Sequence, residues 1–240
     1  MRVRIGRLRP WLAVAGAVLA VGVLVPPGGT EARRYVFAQA VQFGVLAIVV
    51  PALIVLGGPW SGRGGSLLAR AWSRWPGTAR SWAVLVGFIG VALAWRLPVA
   101  VNALVRYPVL TVAEAVALVG AGCALWLELV DSPPLRPRIS RPLRAAFAAL
   151  PMWSIWASAY VMGFSRATWF TALAHRGGLG TVADQQIAAG LLFAIAGLSF
   201  VPVVYVSLLT WLRDPAAGAD DLPAATGPAM PRPPRGWRQA

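Results

Sequence analysis

Apolar residues run through this chain in long, nearly uninterrupted stretches, and short segments that carry arginine separate them. A helix of ~20 such residues is long enough to cross the hydrocarbon core of a bilayer. The pattern therefore predicts an all-α fold, a polytopic membrane bundle of about six transmembrane helices. The spans are predicted at residues 11–27, 35–57, 82–104, 108–130, 143–164 and 186–212.

The composition agrees with a membrane protein. The chain has 240 residues, of which 58% are hydrophobic and 12% are charged. A soluble domain carries roughly twice that charged fraction. The lipid bilayer is therefore the first partner that the sequence predicts.

The net charge of +14 reflects 22 arginines against eight acidic residues, and the distribution of the arginines indicates orientation rather than nucleic-acid binding. Sixteen of them lie before the first span, between the second and third, between the fourth and fifth, or after the sixth. Arg96 lies inside the third span. Positive charge accumulates on the cytoplasmic side of membrane proteins, so both termini are predicted to be cytoplasmic. The opposite side holds Arg33, Arg34, Arg106, Arg166 and Arg176.

The two ends of the chain differ from the apolar middle. Residues 1–10 are predicted to be a basic cytoplasmic N-terminus, 11–213 the transmembrane domain, and 214–240 a disordered cytoplasmic tail rich in Pro, Ala and Gly. Four arginines followed by "WLAVAGAVLAVGVLV" also describe a secretory signal peptide. Because no clear A-x-A cleavage site follows, a retained helix is favoured.

Polar residues gather in the outer third of helices two to six. Residues at one depth on several helices indicate a pocket, because polar groups inside a membrane are costly and face a cavity or a partner. A local explanation also exists for one of them, since Thr181 and Asp184 have the spacing of a helix cap. The candidate pocket residues are Gln39, Gln42, Arg96, Tyr107, Thr111, Glu114, Asp184, Gln185 and Gln186.

Two of these residues are predicted to form a buried ion pair. Arg96 and Glu114 flank a predicted hairpin turn near Val105, and each lies ~13 Å along its helix from that turn. A guanidinium can bind a carboxylate through two parallel hydrogen bonds. The alternative is that Arg96 extends to the headgroups and Glu114 meets only amides such as Gln39 or Gln186.

Three local features complete the pattern. Residues 165–175 are predicted to form a short interfacial helix. Glu128 and Asp131, at the cytoplasmic end of the fourth span, are predicted to meet neighbouring arginines. Prolines inside four spans are predicted to kink their helices, which either opens a cavity or reflects only the frequency of proline in membrane helices. These are Pro51, Pro98, Pro151 and Pro202.

Several motifs together resemble the bacterial CtaG-type cytochrome c oxidase assembly factors, over roughly residues 35 to 213. "DQQIAAGLLF" (184–193) is similar to the family's D-Q-Q-x-x-G-L signature. "AQAVQFGVLAIVVPALIVLGGP" (38–59) resembles its early helix, and "AWRLP" (94–98) its W-H-x-P element. "YPVLTVAEAVALVGAGCALW" (107–126) resembles its H-P-x-x-H-x-x-E-H helix.

The chain departs from this family at the histidines. Imidazole is a standard copper ligand, whereas amide, guanidinium and phenol groups are poor ones. The family's copper step is therefore doubtful here, and we expect neither a metal site nor a cofactor. The soft side chains Cys123, Met152 and Met162 are expected to pack in the core, and the one histidine, His175, lies in a loop. Other residues stand at the family's histidine positions: Gln39, Phe43, Arg96, Tyr107, Thr111 and Ala115.

The resemblance implies an assembly factor for a haem-copper oxidase, with oxidase subunits as partners, in the bacterial plasma membrane. The sequence shows no nucleophile–base pair, phosphate-binding glycine loop or paired carboxylates, so we predict that it is not an enzyme. Two alternatives stay open: a small transporter or channel that uses the outer pocket, or a scaffold subunit of a respiratory complex.

Overall fold

The computed structural model describes residues 2–61, 72, 77–133, 135, 137, 139–173 and 180–213. Within these residues the regular elements are helices, which confirms the all-α prediction. His175 and the predicted tail at 214–240 lie outside the described residues. In chain order the helices are α1 (Arg2–Leu24), α2 (Gly28–Glu31), α3 (Val36–Gly44), α4 (Val50–Gly57), α5 (Gly77–Arg96), α6 (Pro98–Arg106), α7 (Leu110–Leu129), α8 (Arg141–Phe164) and α9 (Thr181–Arg213).

Five segments of the described chain are long and apolar enough to span a membrane, which confirms a polytopic bundle. They are Val36–Gly57, Thr78–Arg96, Leu110–Leu129, Arg141–Phe164 and Thr181–Arg213. The apolar part of α1, Arg9–Leu24, is shorter than these five segments. A sixth span and the cytoplasmic position of both termini stay predictions.

The third predicted span, 82–104, is wrong as one continuous helix. The backbone of Leu97 is extended, with φ −61° and ψ 140°, and Pro98 opens the separate helix α6. The cause is local, since the proline ring disfavours helical backbone at the preceding residue. Arg96 is therefore the last residue of α5 rather than a residue in the middle of a span.

Pro98 opens a new helix, whereas Pro51, Pro151 and Pro202 lie inside helical segments that continue past them. A wide π-helical turn, Val45–Val49, joins α3 to α4 immediately before Pro51, which has no amide to donate. Helix α7 approaches this turn through Gly122, where an added Cβ would lie 2.5 Å from the ring of Pro51. Pro151 and Pro202 lie inside α8 and α9, and both helices continue past them.

The bundle packs around a core of phenylalanine and aliphatic side chains. Helix α9 packs along α8 and α3, and α5 packs along α7. Among the most fully buried side chains are Phe43, Phe88, Phe147 and Phe200. Helix α1 lies against α4 so closely that a Cβ on Gly57 would approach the Ala13 nitrogen to 2.5 Å. The retention of α1 as a membrane helix stays a prediction.

Candidate functional site

Three charged or amide side chains meet near one end of the bundle, each from a different helix. Gln39 lies on the first turn of α3, Arg96 ends α5, and Glu114 lies on the second turn of α7. Their residues are 3%, 8% and 1% exposed. We call these three residues the central cluster.

Gln39 connects the two charges of the central cluster. Arg96 Nη1 donates to Gln39 Oε1, and Gln39 Nε2 donates to Glu114 Oε1 at 3.5 Å. Arg96 Nη2 also donates to Met162 Sδ at 3.3 Å. The guanidinium lies 5.4 Å from the ring centre of Phe43 and equally far from that of Phe170, distances at which cation–π attraction operates.

The predicted direct ion pair between Arg96 and Glu114 is therefore wrong. The contacts of the described residues place an amide between the two groups. The prediction assumed a continuous helix through Pro98, and the break at Leu97 removes that assumption. The alternative that Glu114 meets Gln39 is confirmed, although Arg96 is buried rather than extended to the headgroups.

A cavity of about 170 Å³ lies beside the central cluster. Its polar lining includes Gln39, Gln42, Thr111 and Glu114, with Arg33 also on its wall. Gln42 fixes another side of this region, because its Nε2 donates to the Val23 carbonyl of α1 at 2.6 Å. The arrangement holds a buried carboxylate next to a small space bounded by amides and a hydroxyl.

Asp184 caps a helix other than its own. Its Oδ2 accepts from the Val36 amide at 2.8 Å, and its Oδ1 accepts from the Phe37 amide at 2.9 Å. These are the first two amides of α3, which have no acceptor inside that helix. The predicted cap between Thr181 and Asp184 is wrong, because α9 already begins at Thr181 and the carboxylate turns to its neighbour.

Gln185 holds the loop that covers the central cluster. Its Nε2 donates to the Met162 carbonyl at 2.7 Å, and its Oε1 accepts from the Trp169 amide at 3.3 Å. Asn102 of α6 accepts from the Ala172 amide at 2.9 Å. Phe170 of this loop is 2% exposed and faces Arg96. Side chains from two helices thus fix the loop over the cluster.

The predicted interfacial helix at 165–175 is wrong over the described residues 165–173, which contain bends and turns instead. The loop directs backbone amides to Gln185 and Asn102, and an intact helix would use most of those amides internally.

Two of the predicted pocket residues point away from the cluster. Tyr107 is 60% exposed and precedes α7, which begins only at Leu110 after Pro108, so Tyr107, Thr111 and Glu114 do not share one helical face. Gln186 is exposed on α9, next to the buried Gln185. The other predicted residues lie in the central cluster, line the cavity or form the supporting contacts: Gln39, Gln42, Arg96, Thr111, Glu114, Asp184 and Gln185.

A second buried polar group lies at the opposite end of α7. Arg80 Nε donates to Glu128 Oε1 at 2.8 Å, and Ser81 Oγ donates to Glu128 Oε2 at 3.0 Å. Glu128 is fully buried, and Arg144 contacts Asp131 at 3.5 Å. The prediction that both carboxylates meet arginines is confirmed. Sequence reasoning missed the burial of Arg80, although an arginine near the start of an apolar helix was the available signal.

The side chains of the central cluster do not fit copper. They supply a guanidinium, an amide and a carboxylate, and the one soft donor in contact, Met162 Sδ, already accepts from the guanidinium. A metal cation there would lie against a fixed positive charge. Among the described residues no group of three or more His, Cys, Asp or Glu side chains could hold a metal ion.

The five long apolar helices and the buried polar cluster define a polytopic helical membrane protein. A sequence model of the cytochrome c oxidase caa3 assembly factors matches residues 1–214. The chain belongs to this family, and the match includes α1 as well as the five long spans. No curated protein and no solved structure matches the chain.

Proposed function

We propose that this protein acts in the bacterial plasma membrane, where it assists the assembly of a haem-copper cytochrome c oxidase through direct contact with oxidase subunits. The family match over residues 1–214 carries this proposal, because it includes all five long helices and the central cluster. In this proposal the protein is a binding partner, with neither an enzyme activity nor a bound cofactor.

The proposed role of the central cluster is to shape the extracytoplasmic face of the bundle. Gln39 joins α3 to α5 and α7, and Asp184 joins the start of α3 to α9. Each of these bonds ties one helix end to another helix. Residues 165–173 lie over the cluster, and the contacts of Gln185 and Asn102 hold them in place. They form a fixed outer surface that an oxidase subunit can recognise. The arginine distribution supports an extracytoplasmic position for this surface.

Copper delivery from the central cluster is not part of the proposal. The guanidinium of Arg96 lies among the groups that would have to bind the metal, and it is already hydrogen-bonded to Gln39 and Met162. Assembly through protein contact needs no metal ligand in this chain.

A small transporter is the second candidate, and the 170 Å³ cavity beside Glu114 is the observation that favours it. Uptake of a solute by proteoliposomes that contain the purified protein would support this candidate. Recovery of oxidase subunits in a pull-down supports assembly instead.

The decisive experiment is deletion of the gene, followed by measurement of the oxidase absorption spectrum and the copper content of the membranes. We expect less haem-copper oxidase in the deletion strain, restored by the intact chain. A fully assembled oxidase with normal copper content in that strain would overturn the proposed function.

A further inference from the structure

A second cavity, larger than the one beside Glu114, lies at the end of the bundle opposite the central cluster. It is a groove of about 680 Å³ between α4, the end of α7, the start of α8 and the second half of α9. Its walls are mainly apolar, formed by residues such as Leu53, Trp126 and Val203. We call it the inner groove.

The inner groove has the length of one bilayer leaflet. Along α9 it runs from Leu198 to Thr210, a distance of ~18 Å at a rise of ~1.5 Å for each residue. One leaflet contributes ~15 Å of hydrocarbon. Its edges are open, because Leu198 is 79% exposed and Val206 is 57% exposed. A chain entering at the charged end would therefore reach the middle of the membrane.

The charged side chains of the groove lining lie at one end of it. Among the described residues that line the groove, Arg141 and Arg144 lie there with Asp131, which gives two guanidinium groups and one carboxylate. Arg141 Nη1 donates to the Thr210 carbonyl at 3.4 Å, which holds it across the groove. Arg144 contacts Asp131 at 3.5 Å, and the Asp131 side chain is 67% exposed. This charged end belongs to the arginine-rich side that the sequence assigns to the cytoplasm.

We propose that the inner groove binds an anionic phospholipid of the cytoplasmic leaflet. An acyl chain lies along the apolar walls, and the headgroup phosphate lies between Arg141 and Arg144. Guanidinium groups suit this position because their planar N–H fork matches phosphate oxygens. The proposal is independent of the oxidase, since it rests on the groove and its charges alone.

Lipid binding can be measured with the full-length protein, stripped of lipid in detergent and titrated with phosphatidylglycerol or phosphatidylcholine of identical acyl chains. Native mass spectrometry then counts retained lipids. We expect preferential retention of phosphatidylglycerol. One arginine near an anionic headgroup contributes ~1 kcal/mol, so Arg141→Gln and Arg144→Gln should each weaken binding about fivefold.

Two further variants separate a specific site from general attraction. Arg213→Gln removes a charge from the last turn of α9, outside the groove lining, and should leave affinity unchanged. Ser207→Phe places a ring in the groove without changing charge and should also weaken binding. Melting temperatures without lipid identify variants that fail to fold, and Arg141→Gln remains informative if Arg144→Gln is one of them.

Three results would overturn the proposal. Equal retention of the two lipids would remove the role of the headgroup charge. A loss with Arg213→Gln as large as that with Arg141→Gln would indicate attraction to the whole basic surface. Retention of neither lipid would show that the inner groove is not a phospholipid site.

Discussion

Replacement of Gln39 by leucine should destabilise this protein by about 3 kcal/mol. The side chain is 3% exposed and makes two hydrogen bonds to charged groups, accepting from Arg96 and donating to Glu114. Loss of a partner to a charged group costs ~1.5–3 kcal/mol for each bond. We take the low end of the sum, because Met162 and two aromatic rings still contact the guanidinium.

The measurement is thermal unfolding of the purified protein in detergent. For a chain of this size 1 kcal/mol corresponds to ~2–4 °C, so Gln39→Leu should lower the melting temperature by about 6–12 °C. Gln186→Leu is the matched control, since it makes the same change at an exposed position of α9. Its effect should stay within about 0.5 kcal/mol. Equal shifts for the two variants would refute the argument that Gln39 joins the buried charges.

The same unfolding assay tests two other contacts. Asp184→Ala should lower the free energy of unfolding by about 2 kcal/mol, because two amides of α3 lose their acceptor, whereas Thr181→Ala should change it little. A larger loss for Thr181→Ala would instead support a cap within α9. Glu128→Gln should lower the free energy of unfolding by ~3–5 kcal/mol, because Arg80 stays buried without its carboxylate. Asp131→Asn should lower it by less than ~1 kcal/mol, because that side chain is exposed. Similar losses for the two variants would mean that burial does not strengthen the Arg80–Glu128 pair. Elemental analysis should find little or no copper in the purified protein, and one copper per chain retained against a chelator would contradict the reasoning from donor types. A C-terminal alkaline phosphatase fusion should be inactive and a fluorescent-protein fusion bright, and the opposite pattern would reverse the assigned orientation.

The sequence by itself determined which segments are apolar enough to span a membrane and at what depth their polar residues lie. Both follow from local quantities, since span length is a sum of residue hydrophobicities and depth is a count of residues along a helix. The convergence of Gln39, Glu114 and Asp184 at one end of the bundle was predictable for this reason. So was the meeting of Glu128 with arginine, because charge in an apolar setting needs a partner.

Only the tertiary structure decided which partner each polar group takes. Gln185 and Gln186 are adjacent and alike in the sequence, yet one is buried against the 165–173 loop and the other is exposed. Asp184 caps α3 instead of α9, and an amide stands between Arg96 and Glu114. Spacing along the chain fixes the height of a side chain on its helix, but the rotation of that helix and the identity of its neighbour depend on how all the helices pack together. Those contacts join residues as far apart as Val36 and Asp184, so no local pattern could specify them.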